Sequence, residues 1–443
     1  MLTIINTKSG KKEEFIPQKA GHVLMYVCGI TPYDSAHLGH GRCYVSFDLL
    51  YRLLKFLGYT VSYCRNFTDI DDKLIRRAQE RLGDGMRYRE IADQYIAAYH
   101  ADMQALNTLP PAYEPRVTDH IPQIIAAIEA LIERGYAYQS GTSVYFSIAK
   151  FPAYGALSKH NSADLRAGAR VEVTEDKRDP LDFALWKGEA ENSFWRSPWG
   201  WGRPGWHIEC SVLARTYLGD TIDIHAGGLD LVFPHHENEI AQSECLTGQL
   251  FARYWMHNGF VQIDKEKMSK SLGNFLTLRD VCTEYDPQIV RYYYLTHHYR
   301  APLDFSLDDL AAAGVSYKKL VRFFAATESA AAIDQTLPVI AALRDALCND
   351  LNTPAAFGIL FESLPLLETD GIQRSMVKTF MHRILGLPLQ PIPEKTVVYT
   401  PEIEALLAAR EQARAEKNWT QADAIRDKLA ALGYKVQDKK AHS

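Results

Sequence analysis

The run His22-Val-Leu-Met-Tyr-Val-Cys-Gly-Ile-Thr-Pro-Tyr-Asp-Ser-Ala-His-Leu-Gly-His40 decides the fold. Its first part, His22–Cys28, reads as a buried strand, and the turn formers Gly29, Thr31, Pro32 and Asp34 end it. Beyond them Leu49, Leu53 and Leu57, with Leu50 and Leu54 beside them, recur at helical spacing as far as Gly58, a helix stop. A second strand is expected over Thr60–Asn66. Strand, helix and strand in that order form a right-handed crossover unit of a doubly wound parallel sheet, whose ligand site lies beyond the strand C-termini. Cys28 and the Gly29–His40 turn stand at such an end.

Working outward, helical sequence runs from Asp71 to about Tyr113, and the Pro-rich patch Leu109–Pro115 reads as a boundary. The expected fold class is α/β. It has a Rossmann-type parallel sheet split by an insertion, then an α-helical bundle and a small C-terminal helical domain. The expected divisions are 1–115 for the first half of the sheet domain, 116–203 for the insertion and 204–306 for the second half. A bundle (307–386), a linker (387–400) and a small tail region (401–443) follow. Within the insertion a helix is expected at Ile121–Arg134 and a β segment at Ser143–Ile148. Asp220–His225 and Gly259–Asp264 are expected to complete the sheet, with a helix from Pro234 between them.

A chain of 443 residues predicts about three domains at roughly 150 residues each. With 49 Lys+Arg against 54 Asp+Glu the formal charge is −5, so any nucleic acid must be held by local basic patches. No apolar run reaches the roughly 18 residues of a membrane span, and the start carries no signal-peptide core, which together predict a cytoplasmic protein. The 7 cysteines have no Cys-x-x-Cys spacing and are expected to stay reduced.

Three constellations carry chemistry. His37-Leu-Gly-His40 places two imidazoles at a helix N-terminus, where backbone N–H groups and the helix dipole favour a phosphate. For an isolated motif of this kind, two surface histidines are an even alternative, and the position after a strand shifts that balance. Lys267-Met-Ser-Lys-Ser271 is a cationic loop suited to a polyphosphate leaving group; alone it reads better as a solvated loop. Cys28, Cys210, His235 and Glu239 are ligand-like, since His235 and Glu239 are four residues apart and share one helix face. His207, His236 and a core role for Cys28 stay open on spacing alone.

The pair of a His-x-Gly-His turn and a later Lys-Met-Ser-Lys-Ser is the paired signature of class I aminoacyl-tRNA synthetases. Over nearly its whole length the chain resembles the bacterial cysteinyl-tRNA synthetases. The resemblance rests on Tyr26–Asp34, His37–His40, Asn66–Lys73, Gly202–Cys210, Phe233–Gln242 and Glu266–Asn274. It implies an ATP-dependent cysteine–tRNA ligase that makes cysteinyl-adenylate and passes cysteine to the 3′ end of tRNA(Cys). It also implies one zinc ion on Cys28, Cys210, His235 and Glu239 that selects the substrate thiolate. His37, His40, Lys267 and Lys270 are then catalytic, with Mg²⁺ accompanying ATP. Gly228, Asp230 and Ser269 join them around ATP, and Gly29, Thr31, Thr68, Trp206 and His225 surround the cysteine. The expected partners are L-cysteine, ATP and tRNA(Cys), with no membrane, and the expected state is a monomer.

A zinc ion also makes physical sense here: an ordinary pocket separates cysteine from serine poorly, whereas a borderline-soft ion prefers a thiolate. Two departures stand out. Ala226 occupies a place where the resemblance leads one to expect glycine before Gly227-Gly228, and the tail lacks a Trp-Arg/Lys ending. Trp419 is expected to pack between the two tail helices, with stacking on an exposed base as the alternative. An ATP-dependent ligase joining cysteine to an amino sugar is the nearest rival. The helical tail after Glu402 argues instead for tRNA.

Overall fold

The computed structural model describes residues 1–160, 177–263, 266–267, 276–392, 401–416 and 418–431. The chain divides into two compact units, Met1–Pro391 and Ile392–Ser443.

At the centre of the first unit lies a four-stranded parallel sheet in the order Ala252–Asn258, Ile222–Gly228, His22–Ile30, Thr60–Phe67. The helix Leu38–Phe56 connects the last two strands, as its leucine spacing predicts. It is covered nearly all round. Leu49, Leu50, Leu53 and Leu54 are buried, each contributing about 1.5–3 kcal/mol by leaving water, and so are Arg42, Asp48 and Arg52. The helix is capped at Leu57, and Gly58 takes the left-handed backbone (φ +92) that turns the chain toward the next strand.

The outer strand of the sheet corrects the expectation for Gly259–Asp264. Ala252–Asn258 takes that place, while Val261–Ile263 leaves for a separate three-stranded sheet with Glu266–Lys267 and Leu303–Asp304. The cause is burial on both faces: Trp255 and Met256 are enclosed, and Asn258 and His257 are buried beside them, so no polar alternation marks the strand. At Gly259 the chain changes sheets, and a Cβ there would lie 2.4 Å from the Ala301 carbonyl oxygen.

The Pro-rich patch is likewise not a boundary. It runs parallel to the edge strand, with bridges Cys64–Tyr113 and Phe67–Arg116. The helix Ile121–Glu133 then stays with the sheet domain, its Ile121, Ile124 and Ile128 sharing a core with Cys210, Ala241 and Trp255. Only afterwards does the chain form a five-stranded antiparallel sheet, in the order Ala137–Ser140, Ser143–Phe146, Phe183–Gly188, Gly200–Pro204, Trp195–Ser197. Buried Glu237 ties this region back: its carboxylate accepts from the N–H groups of Gly155 (2.9 Å) and Ser158 (2.8 Å).

Helices Leu307–Phe324, Pro338–Cys348, Thr353–Thr369 and Gly371–Arg383 form the bundle. The start of the expected linker is packed, with Leu387 and Leu389 buried; residues 393–400 lie outside the described residues. In the second unit, Pro401–Ala415 and Trp419–Ala431 pair through Ile403, Ile425 and Leu429. Trp419 does not pack between them and is 58% exposed, because it stands at the first turn of its helix, off the apolar seam. No helix among the described residues is long and apolar enough to cross a membrane.

Candidate active site and metal centre

A cavity of about 310 Å³ opens where the parallel strands end. The end of the strand His22–Ile30 and the turn after it (Cys28, Gly29, Thr31) form its floor, and the helix start at His37 and His40 forms one wall. Gly228–Asp230, Asn258–Val261 and Trp206 close the rest. This is the position beyond the strand C-termini that the crossover topology dictates.

His37 is the N-cap of the first helix, and His40 is its third residue. The Nδ1 of His37 accepts the His40 N–H (3.2 Å), and the Nδ1 of His40 accepts the His37 N–H (3.3 Å). The rings stack with centroids 3.7 Å apart, and a Cβ on the intervening Gly39 would sit 3.0 Å from the His37 ring. Burial, with His37 and Lys73 nearby, holds His40 well below the ordinary histidine pKa, so its ring is neutral. With Nδ1 accepting, the proton sits on Nε2, which makes that atom a hydrogen-bond donor.

Gly29 permits the closest approach in the site: a Cβ there would fall 1.5 Å from the Asn66 carbonyl oxygen. Its N–H donates to the Asn66 side chain (3.0 Å). At the opposite wall a Cβ on Gly228 would lie 2.5 Å from Asp230 Oδ1, so glycine there leaves room for the aspartate.

At the floor and behind it, Cys28, Cys210, His235 and Glu239 are buried and bring one donor atom each within 4.8 Å of the others. The sulfurs are 3.9 Å apart, and Glu239 Oε1 lies 3.6 Å from Cys28 Sγ and 3.0 Å from His235 Nε2. Two sulfurs, a nitrogen and a carboxylate oxygen at these separations fit a tetrahedral, borderline-soft metal ion. The charges are unevenly shared: burial pushes the Cys28 thiol well up, and at His235 burial lowers the pKa but Glu239 and Cys210 outweigh it and bring it to about 10. Burial raises the Glu239 pKa, but His225 and His235 outweigh it and bring it to about 2. The Cys28 hydrogen bond draws the Cys210 thiol down to about 6.

A second set, Cys28, His225, His236 and Glu239, also converges within the same limit. His236 Nε2 is 3.3 Å from Cys28 Sγ, and His225 Nε2 is 2.8 Å from Glu239 Oε2. His236 has another duty: its Nδ1 pairs with His257 (2.8 Å), whose ring also pairs with Thr7. Around His235, the His207 ring meets Nδ1 at 2.9 Å, the kind of outer contact that fixes a ligand's ring orientation.

Of the residues expected around the amino acid, Gly29, Thr31 and Trp206 line the cavity. Trp206 is 39% exposed and its ring lies 4.3 Å from that of His235, an apolar wall beside the donor cluster. Thr68 and His225 do not line it. Thr68 is buried and donates to Glu209 (2.9 Å), and His225 is enclosed behind Glu239. Lys267 has its backbone in the strand Glu266–Lys267, whereas Ser269 and Lys270 lie outside the described residues. Lys73, Asn258 and Cys43 line the cavity without having been singled out. For Lys73 the signal was present, a lone lysine closing the Asn66–Lys73 motif.

Residues 14–315 match the family described as tRNA synthetases class I (C) catalytic domain. Residues 398–443 match the cysteinyl-tRNA ligase anticodon binding domain. The chain is 48% identical to the cysteine–tRNA ligase of Alkalilimnicola ehrlichii and 45% identical to that of Syntrophotalea carbinolica, in each case over 99% of this chain and 98% of the relative. It is 47% identical to that of Pseudomonas fluorescens, with the same coverage. The Mycobacterium tuberculosis methionyl-tRNA synthetase in complex with methionyl-adenylate has the same fold, at a TM-score of 0.59 and 14% identity, covering 90% of this chain and 96% of that one. The cavity at the strand ends, the paired histidines at the helix start and the buried sulfur, nitrogen and oxygen donors therefore sit in a chain that belongs to the cysteine–tRNA ligase family of class I aminoacyl-tRNA synthetases.

Proposed function

We propose that the chain activates L-cysteine with ATP and transfers it to tRNA(Cys), using the cavity at the strand ends for the first step. The observation that carries this reading is one of placement. Cys28, a donor of the candidate metal cluster, lies near the end of the strand that leads through a turn to the helix start at His37 and His40, so the amino-acid and phosphate subsites share one cavity.

In the first step the cysteine carboxylate attacks the α-phosphorus of ATP in line, and pyrophosphate leaves. The Nε2 donor of His40, with His37 beside it, stabilises the charge that grows on the phosphoryl oxygens. Lys267 and Lys270 hold the departing pyrophosphate, whose charge Mg²⁺ accompanying ATP would help to neutralise, and Ser269 adds a hydroxyl donor. Asp230, beside Gly228, accepts hydrogen bonds from the ribose hydroxyls. Gly29, Thr31 and Trp206 position the amino acid; Thr68 and His225 act from behind, by fixing Glu209 and Glu239. In the second step the 3′-terminal ribose hydroxyl of the tRNA attacks the adenylate carbonyl and AMP leaves. The bundle and the tail unit supply the tRNA contacts.

Cys28, Cys210, His235 and Glu239 would hold zinc, which supplies a Lewis acid that favours a thiolate over a hydroxyl and so separates cysteine from serine. His207 orients His235, while His225 and His236 buttress Glu239 and Cys28. The test is cysteine-dependent ATP–pyrophosphate exchange, followed by charging of tRNA(Cys), on protein assayed for zinc. Folded, zinc-loaded protein that fails in exchange would overturn the reading; activity with an amino sugar in place of tRNA would move it to the rival ligase.

A further inference from the structure

Two residues beyond His40, the first helix carries a cation to which the reaction described above gives no part. Arg42 is 1% exposed, and among the described residues no carboxylate pairs with it. Its guanidinium is instead spent on backbone. Nη1 donates to the carbonyls of Gly259 (3.2 Å) and Phe260 (2.8 Å). Nη2 donates to the carbonyl of His298 (3.1 Å) and to that of Ala301. Burial draws its pKa down to about 10, so the charge persists at neutral pH.

Those four carbonyls mark a particular place. Asn258 ends the parallel sheet, Gly259–Phe260 makes the crossing, and Val261 begins the second sheet beside Leu303. The same Asn258–Val261 segment is a wall of the cavity that His37 and His40 face. A guanidinium suits the task because its planar fork holds its N–H donors in a fixed, wide spread, whereas an ammonium is a compact point charge on a flexible stem. The chain is pinned to this helix again at Leu276–Leu278: Leu278 N–H donates to Ala36 (2.8 Å), and Leu38 N–H donates to Leu276 (3.4 Å). Tyr294 adds a hydroxyl to the Leu38 carbonyl (2.9 Å).

We propose that Arg42 is a positioning residue for ATP, one that fixes the width of the cleft between the His37/His40 helix start and the Asn258–Val261 wall. The inference rests on the ATP-dependent reading given above. Arg42 touches no substrate; it acts through the backbone of Gly259 and Phe260. Because the cysteine floor at Gly29 and Thr31 and the donor cluster at Cys28 are built from other elements, its loss should fall on the nucleotide alone.

The test compares Arg42→Lys with the unaltered full-length protein by pyrophosphate exchange, and by direct calorimetric titration with ATP. The expected result is a rise of about tenfold in both the KM and the Kd for ATP, with the KM for cysteine and the zinc content within about twofold of the starting protein. Folded Arg42→Lys with an unchanged Kd for ATP, or with ATP and cysteine weakened alike, overturns the proposal. If Arg42→Lys does not fold, Gly259→Ala decides. Its Cβ pushes on the Ala301 carbonyl with Arg42 intact, and an ATP-selective loss supports the proposal while an unselective one overturns it. If the unaltered protein showed no exchange, the ligase reading would fall, and the calorimetric Kd would still decide the role of Arg42.

Discussion

His37 and His40 stack face to face, 3.7 Å between centroids, and each ring accepts a hydrogen bond from the other's backbone N–H. The arrangement spends the Nδ1 atoms on capping the helix and leaves protonated Nε2 on the neutral His40 ring. One pair of side chains thereby caps the helix and lines the wall of the cavity. His40→Ala should lose about 1 kcal/mol of stability with the cap, and about 10²–10³-fold in cysteine-dependent exchange. A variant that keeps full exchange would remove this histidine from the phosphoryl step.

Cys28→Ser and His235→Ala should each lower zinc content and raise the KM for cysteine, while the KM for ATP changes little. The cause is separation of subsites: Cys28 lies in the floor of the cavity and His235 behind it, and His37 and His40 stand on another element. Metal analysis beside exchange kinetics checks it. Retention of zinc and cysteine affinity in both variants would refute the ligand assignment.

Asp48 sits under Arg291, with Asp48 Oδ2 to Arg291 Nη2 at 2.5 Å and to Arg52 Nε at 2.8 Å, all three groups buried. Arg291 also donates to the carbonyls of Leu385 and Leu106, joining the end of the bundle to the sheet domain. Asp48→Asn leaves two buried cations without their counter-charge and should cost about 3–5 kcal/mol. Denaturant unfolding measures this, and a loss under 1 kcal/mol would show that the network is dispensable.

Asp72 holds Lys187 (2.7 Å) and Arg203 of the antiparallel sheet. Burial pushes its carboxyl up, but the Lys187 hydrogen bond and Arg203 outweigh it and leave the pKa below the ordinary 3.8. A depressed carboxylate contributes stability above 3.8, and that contribution disappears as pH falls through the folded value. With the side chain 50% exposed, the contribution is about 0.2–1 kcal/mol. Asp72→Asn should therefore melt lower than the unaltered protein at pH 6, and the gap should close as the pH falls below 3.8.

Trp419 stands 58% exposed in the unit matched by the anticodon-binding family. Base stacking on an indole contributes about 1–3 kcal/mol, so Trp419→Ala should raise the KM for tRNA(Cys) by roughly tenfold. An unchanged KM in charging assays would assign the exposed ring no part in recognition.

The crossover unit was legible because each of its parts has a local signature: an apolar strand, a turn rich in Gly and Pro, and leucines at helical spacing. Ala252–Asn258 was not, since a strand buried on both faces shows no alternation, and its Arg253 and His257 mask the apolar run. The Pro-rich patch misled for a related reason. Proline signals a break in local structure, and only the tertiary fold reveals that Tyr113 and Pro115 still offer carbonyls to a neighbouring strand. At the site, the motif residues could be named from the sequence, but their depth could not. Thr68 and His225 sit behind the cavity and Lys73 on its surface, because that difference depends on how Glu209, Glu239 and Tyr33 pack around them.

Among the described residues, both margins of the central sheet meet other segments of the chain. On one side Asn6 and Thr7 meet the Trp255 backbone at 3.1 and 2.8 Å, and on the other Tyr113 and Pro115 accept the N–H groups of Arg65 and Phe67, both at 2.9 Å. Exposed strand margins recruit other chains, and proline cannot extend a ladder. The proline-flanked segment therefore acts as a seal against intermolecular strand pairing. A nick within residues 109–116 is expected to bare the Arg65–Phe67 margin and leave it open to strand pairing with other chains.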